Sequence, residues 1–214
     1  MWKKRPYPGT RLSLGKHPLG SSPQRGFTLI ELLVVVTIAA ILAAIAVPSF
    51  KGLIANSTVS RAVNSFIADT RYARGEAMRR GKSVTMCRSN APLAAAPVCS
   101  NGDGLAVGGW MEGWVVFLDE NGDGTFDNGV DTVLRVQESL RGISDFYAVG
   151  GSPSVSAVAT GNKIIYDATG RAVGQQGRWL VHAPGSLSND ASYARTLCLN
   201  SVGRIRLQKG ESAC

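Results

Sequence analysis

The chain has 214 residues, enough for one folded domain and a membrane helix, and a formal net charge of +8 from 23 Lys and Arg against 15 Asp and Glu. Six of the basic residues and none of the acids lie in residues 1–26, so the rest of the chain carries only +2 (17 against 15), which excludes a protein that is strongly basic throughout. The two histidines, His17 and His182, and the lack of a Gly-x-Ser-x-Gly or catalytic-cysteine motif in the sequence give no support to an enzyme.

Residues 1–26 are rich in Pro and Gly and have no apolar periodicity, so we expect an unstructured leader. Its charges are all positive: Lys3, Lys4, Arg5, Arg11, Lys16 and Arg25. Basic residues beside an apolar segment stay on the cytoplasmic side of a membrane. The C-terminal part of the chain is therefore expected outside the inner membrane.

An apolar segment follows, from residue 27 to residue 47, and it contains a single charge, Glu31. Its 21 residues, at about 1.5 Å rise each, span the roughly 30 Å core of a bilayer. A carboxylate in that core costs roughly 2.5–3.5 kcal/mol, so Glu31 is predicted to be functional. Pro48, which lacks an N–H, is predicted to kink the helix.

Two other interpretations of this segment compete. A secretory signal has an apolar core of about 7–15 residues and an Ala-x-Ala cleavage site, for which Ala44-Ile45-Ala46 would serve. The apolar core here is longer than that and contains Glu31. A plain single-span anchor is the other alternative, but an anchor requires neither Glu31 nor the Gly26–Phe27 junction.

The sequence Arg-Gly-Phe-Thr-Leu-Ile-Glu, residues 25–31, resembles the class III signal of type IV prepilins and pseudopilins. The resemblance implies that a membrane-bound prepilin peptidase cuts after Gly26 and methylates the new N-terminus, Phe27. It also implies that Glu31 pairs with the N-terminal amine of a neighbouring subunit during filament assembly. Two charges that are unfavourable in lipid would then neutralise each other.

Residues 49–82 are predicted to continue as an amphipathic helix that covers a folded domain. Apolar residues recur there at spacings of three to four: Phe50, Leu53, Ile54, Val59, Val63, Phe66, Ile67, Ala73 and Ala77. Arg79, Arg80 and Lys82 suit the C-terminal end of the helix dipole, and Gly81 is a natural stop.

From residue 83 onward, short strand-like segments are separated by Gly, Asn, Asp and Pro. The predicted strands are 83–87, 114–118, 132–136, 143–149, 163–167, 178–182, 196–199 and 204–207. Residues 89–109 and 150–161 are predicted loops. Together with the N-terminal signal, this pattern predicts an α+β, pilin-like fold: a long N-terminal helix, transmembrane and then amphipathic, packed on an antiparallel β-sheet domain.

Four cysteines are expected to fold in an oxidising compartment, where disulfides persist. Three pairings exist for four cysteines, and the short loops favour Cys87–Cys99 and Cys198–Cys214. The second disulfide would hold the last residue of the chain. Zinc is unsupported because the sequence contains no Cys-x-x-Cys pair, and no metal or other cofactor is expected.

The C-terminal half is similar to the GspH/FimT group of the pilin superfamily. The similarity lies in three segments: Gly-Trp-Val-Val-Phe at 113–117, followed by an acidic turn; Ile164-Ile165-Tyr166, leading to Gly170-Arg171; and the closing Gly203-Arg204-Ile205-Arg206. Together with the N-terminal signal, these segments extend loosely over most of the chain after residue 26.

The C-terminal region is basic, with a net charge of +4 from residue 163 onward. Its basic residues are Lys163, Arg171, Arg178, Arg195, Arg204, Arg206 and Lys209. In a strand, Arg204 and Arg206 would project from one face, and Lys209 follows in the segment that a Cys198–Cys214 disulfide would hold. From composition alone, a solvated edge strand whose charges prevent aggregation is the favoured interpretation.

The family resemblance shifts this interpretation, because FimT-like minor pilins of naturally competent bacteria are associated with DNA binding through a C-terminal Gly-Arg-x-Arg. Gly203 to Arg206 match that motif. The resemblance implies sequence-independent, electrostatic binding of DNA by Arg204, Arg206 and Lys209. Supporting contacts are expected from the other arginines of the region: Arg171, Arg178 and Arg195. No aromatic residue lies beside the motif to stack on bases, so duplex DNA is the expected ligand.

The acidic segment at residues 119–127 matches the first part of a calcium-binding EF-hand loop. Val130 stands where such a loop needs its bidentate Glu, and strands rather than helices are predicted on both sides. A β-hairpin turn is therefore favoured, since Asn-Gly and Asp-Gly are strong hairpin signals.

The sequence thus predicts a cleaved leader (1–26), a transmembrane and assembly helix (27–48), an amphipathic helix (49–82) and a periplasmic or extracellular β domain (83–214). The predicted function is that of a FimT-like minor type IV pilin that binds DNA for uptake in natural transformation. Its expected partners are other pilins, the prepilin peptidase, the inner membrane and double-stranded DNA. Two alternatives remain: a GspH-like minor pseudopilin of a type II secretion system without DNA binding, and a calcium-stabilised adhesive domain built on residues 119–127.

Overall fold

A computed structural model describes residues 26–100, 109–149, 161–174 and 177–214, and for residues 47–49 it describes the helical backbone without the side chains. The chain divides into two units, Met1–Ala44 and Ile45–Cys214. The predicted leader, apart from Gly26, and the predicted loop at 150–161, apart from Gly161, lie outside the described residues.

One helix, α1, extends from Leu29 to Arg80, where the sequence predicts a transmembrane and then an amphipathic helix. Thr28 caps its start, because the Thr28 hydroxyl accepts a hydrogen bond of 3.2 Å from the backbone N–H of Glu31. Within the first unit the apolar side chains are exposed, as for Leu42 at 63%. By length and composition, α1 contains a stretch able to cross a membrane, with a mean hydropathy of 2.8. The kink at Pro48 stays a prediction.

In the second unit, α1 buries one stripe of side chains in the core. Its buried apolar residues are Ala55, Val59, Ala62, Val63, Phe66, Ala73 and Ala77. Aromatic rings surround Phe66 at centroid distances of 5.0–5.5 Å: Trp110, Trp114, Phe146 and Trp179. The predicted stripe is wrong at its start, because Phe50, Leu53 and Ile54 are about 60% exposed. Apolar spacing shows that one helix face avoids water, but not which apolar neighbour covers that face.

In the described parts of the chain, eight strands form two antiparallel, four-stranded sheets. The strands are β1 (Ser83–Arg88), β2 (Trp114–Asp119), β3 (Thr132–Gln137), β4 (Asp145–Val149), β5 (Lys163–Tyr166), β6 (Gly177–His182), β7 (Arg195–Leu199) and β8 (Ile205–Lys209). The strand orders are β3-β2-β1-β5 and β4-β6-β7-β8. Short 3-10 helices span Gly109–Glu112 and Gly185–Leu187. All eight predicted strands are present with ends within two residues, and the predicted α+β class is confirmed.

Two disulfides close short loops, in the pairing that the sequence favours. Cys87 at the end of β1 is bonded to Cys99, with 5.5 Å between the Cα atoms. Cys198 in β7 is bonded to Cys214, with 5.7 Å between the Cα atoms. The second bond ties the last residue of the chain to a central strand of the second sheet.

Candidate functional site

The residues predicted for processing and assembly lie at the start of α1. Gly26, Phe27 and Thr28 precede the helix, and Glu31 lies in its first turn. The helix dipole favours a carboxylate at this position. Phe27 is 82% exposed, and Glu31 is exposed as well. The Gly26–Phe27 bond therefore lies in a non-helical segment, one turn away from an exposed acid.

The Gly-Arg-x-Arg segment forms the turn of the β7–β8 hairpin and the start of β8. The backbone N–H of Asn200 donates to the carbonyl oxygen of Arg204 at 3.1 Å, and the N–H of Arg204 donates to Asn200 Oδ1 at 2.9 Å. Arg204 therefore belongs to the turn, and its predicted place in a strand is wrong. Arg206 lies in β8, opposite Cys198. Both arginine side chains are exposed.

Arg195 and Lys209 are two other cations that the sequence predicts to bind DNA. They lie opposite each other in β7 and β8. Because side chains alternate along a strand, Lys209 lies on the opposite face of β8 from Arg206. Arg195 is only 8% exposed, and its guanidinium donates to Asn56 Oδ1 at 2.5 Å and to the carbonyl of Ala194 at 2.7 Å. Arg195 thus joins β7 to α1 and does not belong with the surface cations.

Arg178 supports the C-terminal segment. It lies opposite Cys198 in the pairing of β6 with β7. Its Nη1 donates a hydrogen bond of 3.0 Å to the carbonyl oxygen of Ser212. Arg178 and the Cys198–Cys214 disulfide therefore hold the same stretch of chain.

Arg171 lies exposed in the turn after β5. Asp167 Oδ1 accepts hydrogen bonds from the backbone N–H of Arg171 at 3.0 Å and from that of Thr169 at 2.8 Å. The hydrogen bond from the Thr169 hydroxyl is the largest influence on the pKa of Asp167. Together with these backbone groups it holds that pKa below its usual range, although burial opposes them. The turn is thus fixed by a carboxylate that stays ionised at neutral pH.

His182 links β6 to two acidic residues. Its Nδ1 lies 2.5 Å from Asp145 Oδ1, and its Nε2 lies 3.2 Å from Glu211 Oε1. A cleft of about 390 Å³ adjoins them, lined by Ser144, Asp145, Tyr147, His182, Ser188, Asn189 and Glu211. Sequence reasoning missed this cluster because the two acids are 37 and 29 residues away along the chain.

The acidic segment at 119–127 lies in the connection between β2 and β3, as the hairpin interpretation expects. Asp119 accepts hydrogen bonds from the N–H groups of Gly122 and Gly124 at 2.7 and 2.9 Å. Asp131 accepts two more from the same loop, at 2.9 and 2.8 Å, and both carboxylates are buried. Across residues 26–100, 109–149, 161–174 and 177–214, no group of three His, Cys, Asp or Glu side chains is placed to hold a metal ion.

Comparison with known families gives two matches. Residues 62–203, more than half of the chain, match the family described as type II transport protein GspH. Residues 21–47 match the prokaryotic N-terminal methylation motif. The second match contains Gly26, Phe27 and Glu31.

Individual relatives are similar over shorter stretches. The chain is 42% identical over 90 residues to the type IV major fimbrial protein FimA of Dichelobacter nodosus, covering 40% of this chain and 56% of FimA. It is 44% identical over 61 residues to a fimbrial protein of Pseudomonas aeruginosa, covering 28% and 39%. The chain thus spans about half the length of the curated relatives it matches.

Similar solved structures include those of a minor pilin and a minor pseudopilin. The type IV minor pilin FimU of Pseudomonas aeruginosa superposes with a TM-score of 0.47 at 19% identity, covering 73% of this chain and 94% of FimU. The minor pseudopilin EpsH from the type 2 secretion system of Vibrio cholerae gives 0.43 at 10% identity, covering 71% and 96%.

Proposed function

The chain belongs to the family of type II transport protein GspH, which its residues 62–203 match, and we propose its function from that membership. It also carries the prokaryotic N-terminal methylation motif, and pilins and pseudopilins are structural subunits rather than enzymes. The proposed function is that of a minor type IV pilin, FimT-like, assembled with other pilins into a filament.

Maturation begins at the Gly26–Phe27 bond, which prepilin peptidase cuts before methylating Phe27. Two observations support this step: the bond precedes the helix, and Phe27 is 82% exposed. Glu31, one turn into α1, then pairs with the amine of a neighbouring subunit. Neutralising the two charges in this way makes both of them tolerable inside lipid.

The chain crosses the inner membrane once, through residues 27–48, with the basic leader in the cytoplasm. Positive charges beside a membrane helix support this orientation. Residues 49–82 continue the helix, and the β domain at 83–214 lies in the periplasm until assembly exposes it outside the cell. The Cys87–Cys99 and Cys198–Cys214 disulfides suit such an oxidising compartment.

The second part of the proposal is that the filament subunit captures double-stranded DNA for uptake in natural transformation. One observation carries it: Arg204 and Arg206 are both exposed on one fixed hairpin. Guanidinium groups form bidentate contacts with phosphates, and binding to phosphates alone does not depend on base sequence.

The test uses the full-length mature chain in nanodiscs of neutral lipid. Two unrelated DNA duplexes are titrated at several salt concentrations, and log K should fall linearly with log salt. Replacing Arg204 and Arg206 by Gln should make the slope of log K against log salt shallower by about 1.8, at roughly 0.9 for each phosphate contact. The change should be the same for both duplexes. The matched control is Arg61→Gln with Arg141→Gln, which removes the same charge from exposed sites. The proposed DNA function is wrong if the parent chain does not bind DNA, or if the double variant binds DNA as tightly as this control.

The description of the matching family favours a second candidate, a minor pseudopilin of a type II secretion system that contacts other pseudopilins and not DNA. Both candidates share the N-terminal signal. Deleting the gene distinguishes them: loss of DNA uptake with normal protein secretion supports the pilin, and loss of secretion with normal uptake supports the pseudopilin.

A further inference from the structure

Two turns with the sequence Gly-Arg meet in this fold, although they belong to different sheets. Gly170-Arg171 follows β5 of the first sheet, and Gly203-Arg204 precedes β8 of the second. Both glycines have positive φ, +75° and +78°, a conformation that side-chain-bearing residues rarely adopt. A Cβ atom added to Gly203 would overlap the carbonyl oxygen of Gly170. The two backbones are therefore in direct contact.

Arg74 of α1 lies at this junction. Its Nε donates a hydrogen bond of 2.8 Å to the carbonyl oxygen of Gly170. The same nitrogen lies 3.4 Å from the position that a Cβ of Gly203 would take. This hydrogen bond uses one of the five N–H donors of the guanidinium. One arginine thus contacts both turns.

Each turn fixes the backbone of its own arginine. Asp167 accepts the N–H of Arg171, and Asn200 accepts the N–H of Arg204. Because Gly170 and Gly203 are in contact and Cα atoms of successive residues are about 3.8 Å apart, the Cα atoms of Arg171 and Arg204 lie at most on the order of 10 Å from each other. Three phosphate-to-phosphate steps along one DNA strand, at about 3.4 Å each, cover that distance along the helix axis.

We infer that these arginines form one composite phosphate-binding surface, to which α1 and both sheets contribute. Arg171, Arg204 and Arg206 contact the phosphates, and Arg74 is the positioning residue that keeps the two turns together. This inference rests on the proposed DNA function and adds to it that a single hairpin is not the whole contact. Asp167 is the acid within these turns, and it reduces the local charge by one.

The control residues are distant from this surface. Arg61 lies 13 residues before Arg74 in α1, or about 20 Å at 1.5 Å per residue. Arg141 precedes Gly142, where an added Cβ would lie 3.0 Å from the side chain of Thr58. Both controls are therefore near the other end of this part of the helix.

The experiment compares single variants of the full-length mature chain in neutral-lipid nanodiscs, with duplex DNA as the probe. Arg171→Gln should make the negative slope of log K against log salt shallower by about 0.9, and Arg204→Gln should have the same effect. Arg141→Gln should leave the slope unchanged. Arg74→Gln should make the slope shallower by more than about 0.9, the value of one contact, because the loss of its hydrogen bond to Gly170 frees the two turns that hold Arg171 and Arg204. Arg74→Lys keeps the positive charge and an N–H donor, so its slope of log K against log salt should be close to that of the parent chain.

The outcomes separate this inference from the proposed function. If Arg204→Gln weakens binding while Arg171→Gln and Arg74→Gln behave like Arg141→Gln, the composite surface is wrong and the hairpin alone binds DNA. If Arg74→Gln binds weakly with an unchanged salt slope, Arg74 does not position the phosphate contacts. If the parent chain binds no DNA, both claims fail. A thermal melt of each variant identifies any that does not fold. If Arg74→Gln does not fold, Arg171→Gln, at an exposed site, tests the composite surface without it.

Discussion

The indole Nε1 of Trp114 donates a hydrogen bond of 2.8 Å to the carboxylate of Asp69, which joins α1 to β2. The other carboxylate oxygen lies 3.0 Å from Nη1 of Arg135 in β3. Burial raises the pKa of Asp69, and the Trp114 hydrogen bond and the Arg135 charge partly offset that effect. One side chain thus fixes the helix against two strands of the first sheet.

Replacing Asp69 by Ala should destabilise the fold by about 2–3 kcal/mol, because the fully buried Trp114 indole loses its acceptor. Asp69→Asn keeps one acceptor oxygen and should cost about 1–2 kcal/mol. Urea unfolding measures both. Asn64→Ala, on the exposed face of the same helix, should change stability by less than about 0.5 kcal/mol. An Asp69→Ala variant as stable as that control would contradict the assigned role.

Glu76 makes stability depend on pH at the end of α1. Hydrogen bonds from Arg79 and then Arg80 lower its pKa from 4.5 to about 2. Its contribution is therefore present above pH 4.5 and is lost as the pH falls through about 2. Glu76→Gln should lower stability at pH 7 by less than about 1 kcal/mol, since Arg79 is largely exposed and water screens the pair.

The measurement for Glu76 is thermal unfolding of parent and variant between pH 7 and pH 2. The difference between them should shrink as the pH approaches 2. Glu138→Gln removes the same charge from an exposed site and serves as the control. A Glu76 difference that stays constant down to pH 2 would rule out the ion pair as its cause.

The Tyr166 hydroxyl is buried and has no hydrogen-bond partner within the described part of the chain. Burial strongly raises the pKa of this phenol, so it stays neutral. Tyr166→Phe removes an unsatisfied group and should leave stability unchanged or raise it, by up to about 2 kcal/mol. Chemical unfolding tests this. A loss of more than about 1 kcal/mol would mean that the hydroxyl does have a partner.

The Cys198–Cys214 disulfide should stabilise the C-terminal segment that Arg178 also holds. Replacing both cysteines by Ser opens a covalently closed loop with a sequence separation of 16. This should lower the free energy of unfolding by about 3 kcal/mol. Hydrogen exchange should then accelerate at the backbone N–H of Ser212, which donates to Thr196. Unchanged exchange at Ser212 would show that the disulfide does not hold this segment.

Local patterns were enough to predict the elements of this fold. The β-branched and aromatic residues of the strand Trp114–Asp119 end at Asp and Asn turn signals, and this pattern predicts a strand at 114–118. The two disulfides follow from short loops. The helix stop at Arg80 follows from Gly81, which has a φ of +64°.

Long-range contacts explain what the sequence did not predict. The sequence predicts a surface cation at Arg195 because the partner of this arginine, Asn56, lies 139 residues away along the chain. The predicted strand position of Arg204 is wrong because the side chain of Asn200 accepts the N–H of Arg204 and folds the residues before it into a turn. The contact of Gly170 with Gly203 needs both sheets, and no periodicity in the sequence reports it.

The most direct test of the proposed pilin function is mass spectrometry of the N-terminal peptide of this chain, isolated from the membranes of its bacterium. The expected peptide begins at Phe27 and carries one methyl group on its α-amine. In a strain that lacks the prepilin peptidase, the same chain should keep residues 1–26. A mature chain that begins at any residue other than Phe27, or cleavage that does not depend on the peptidase, would contradict the proposal.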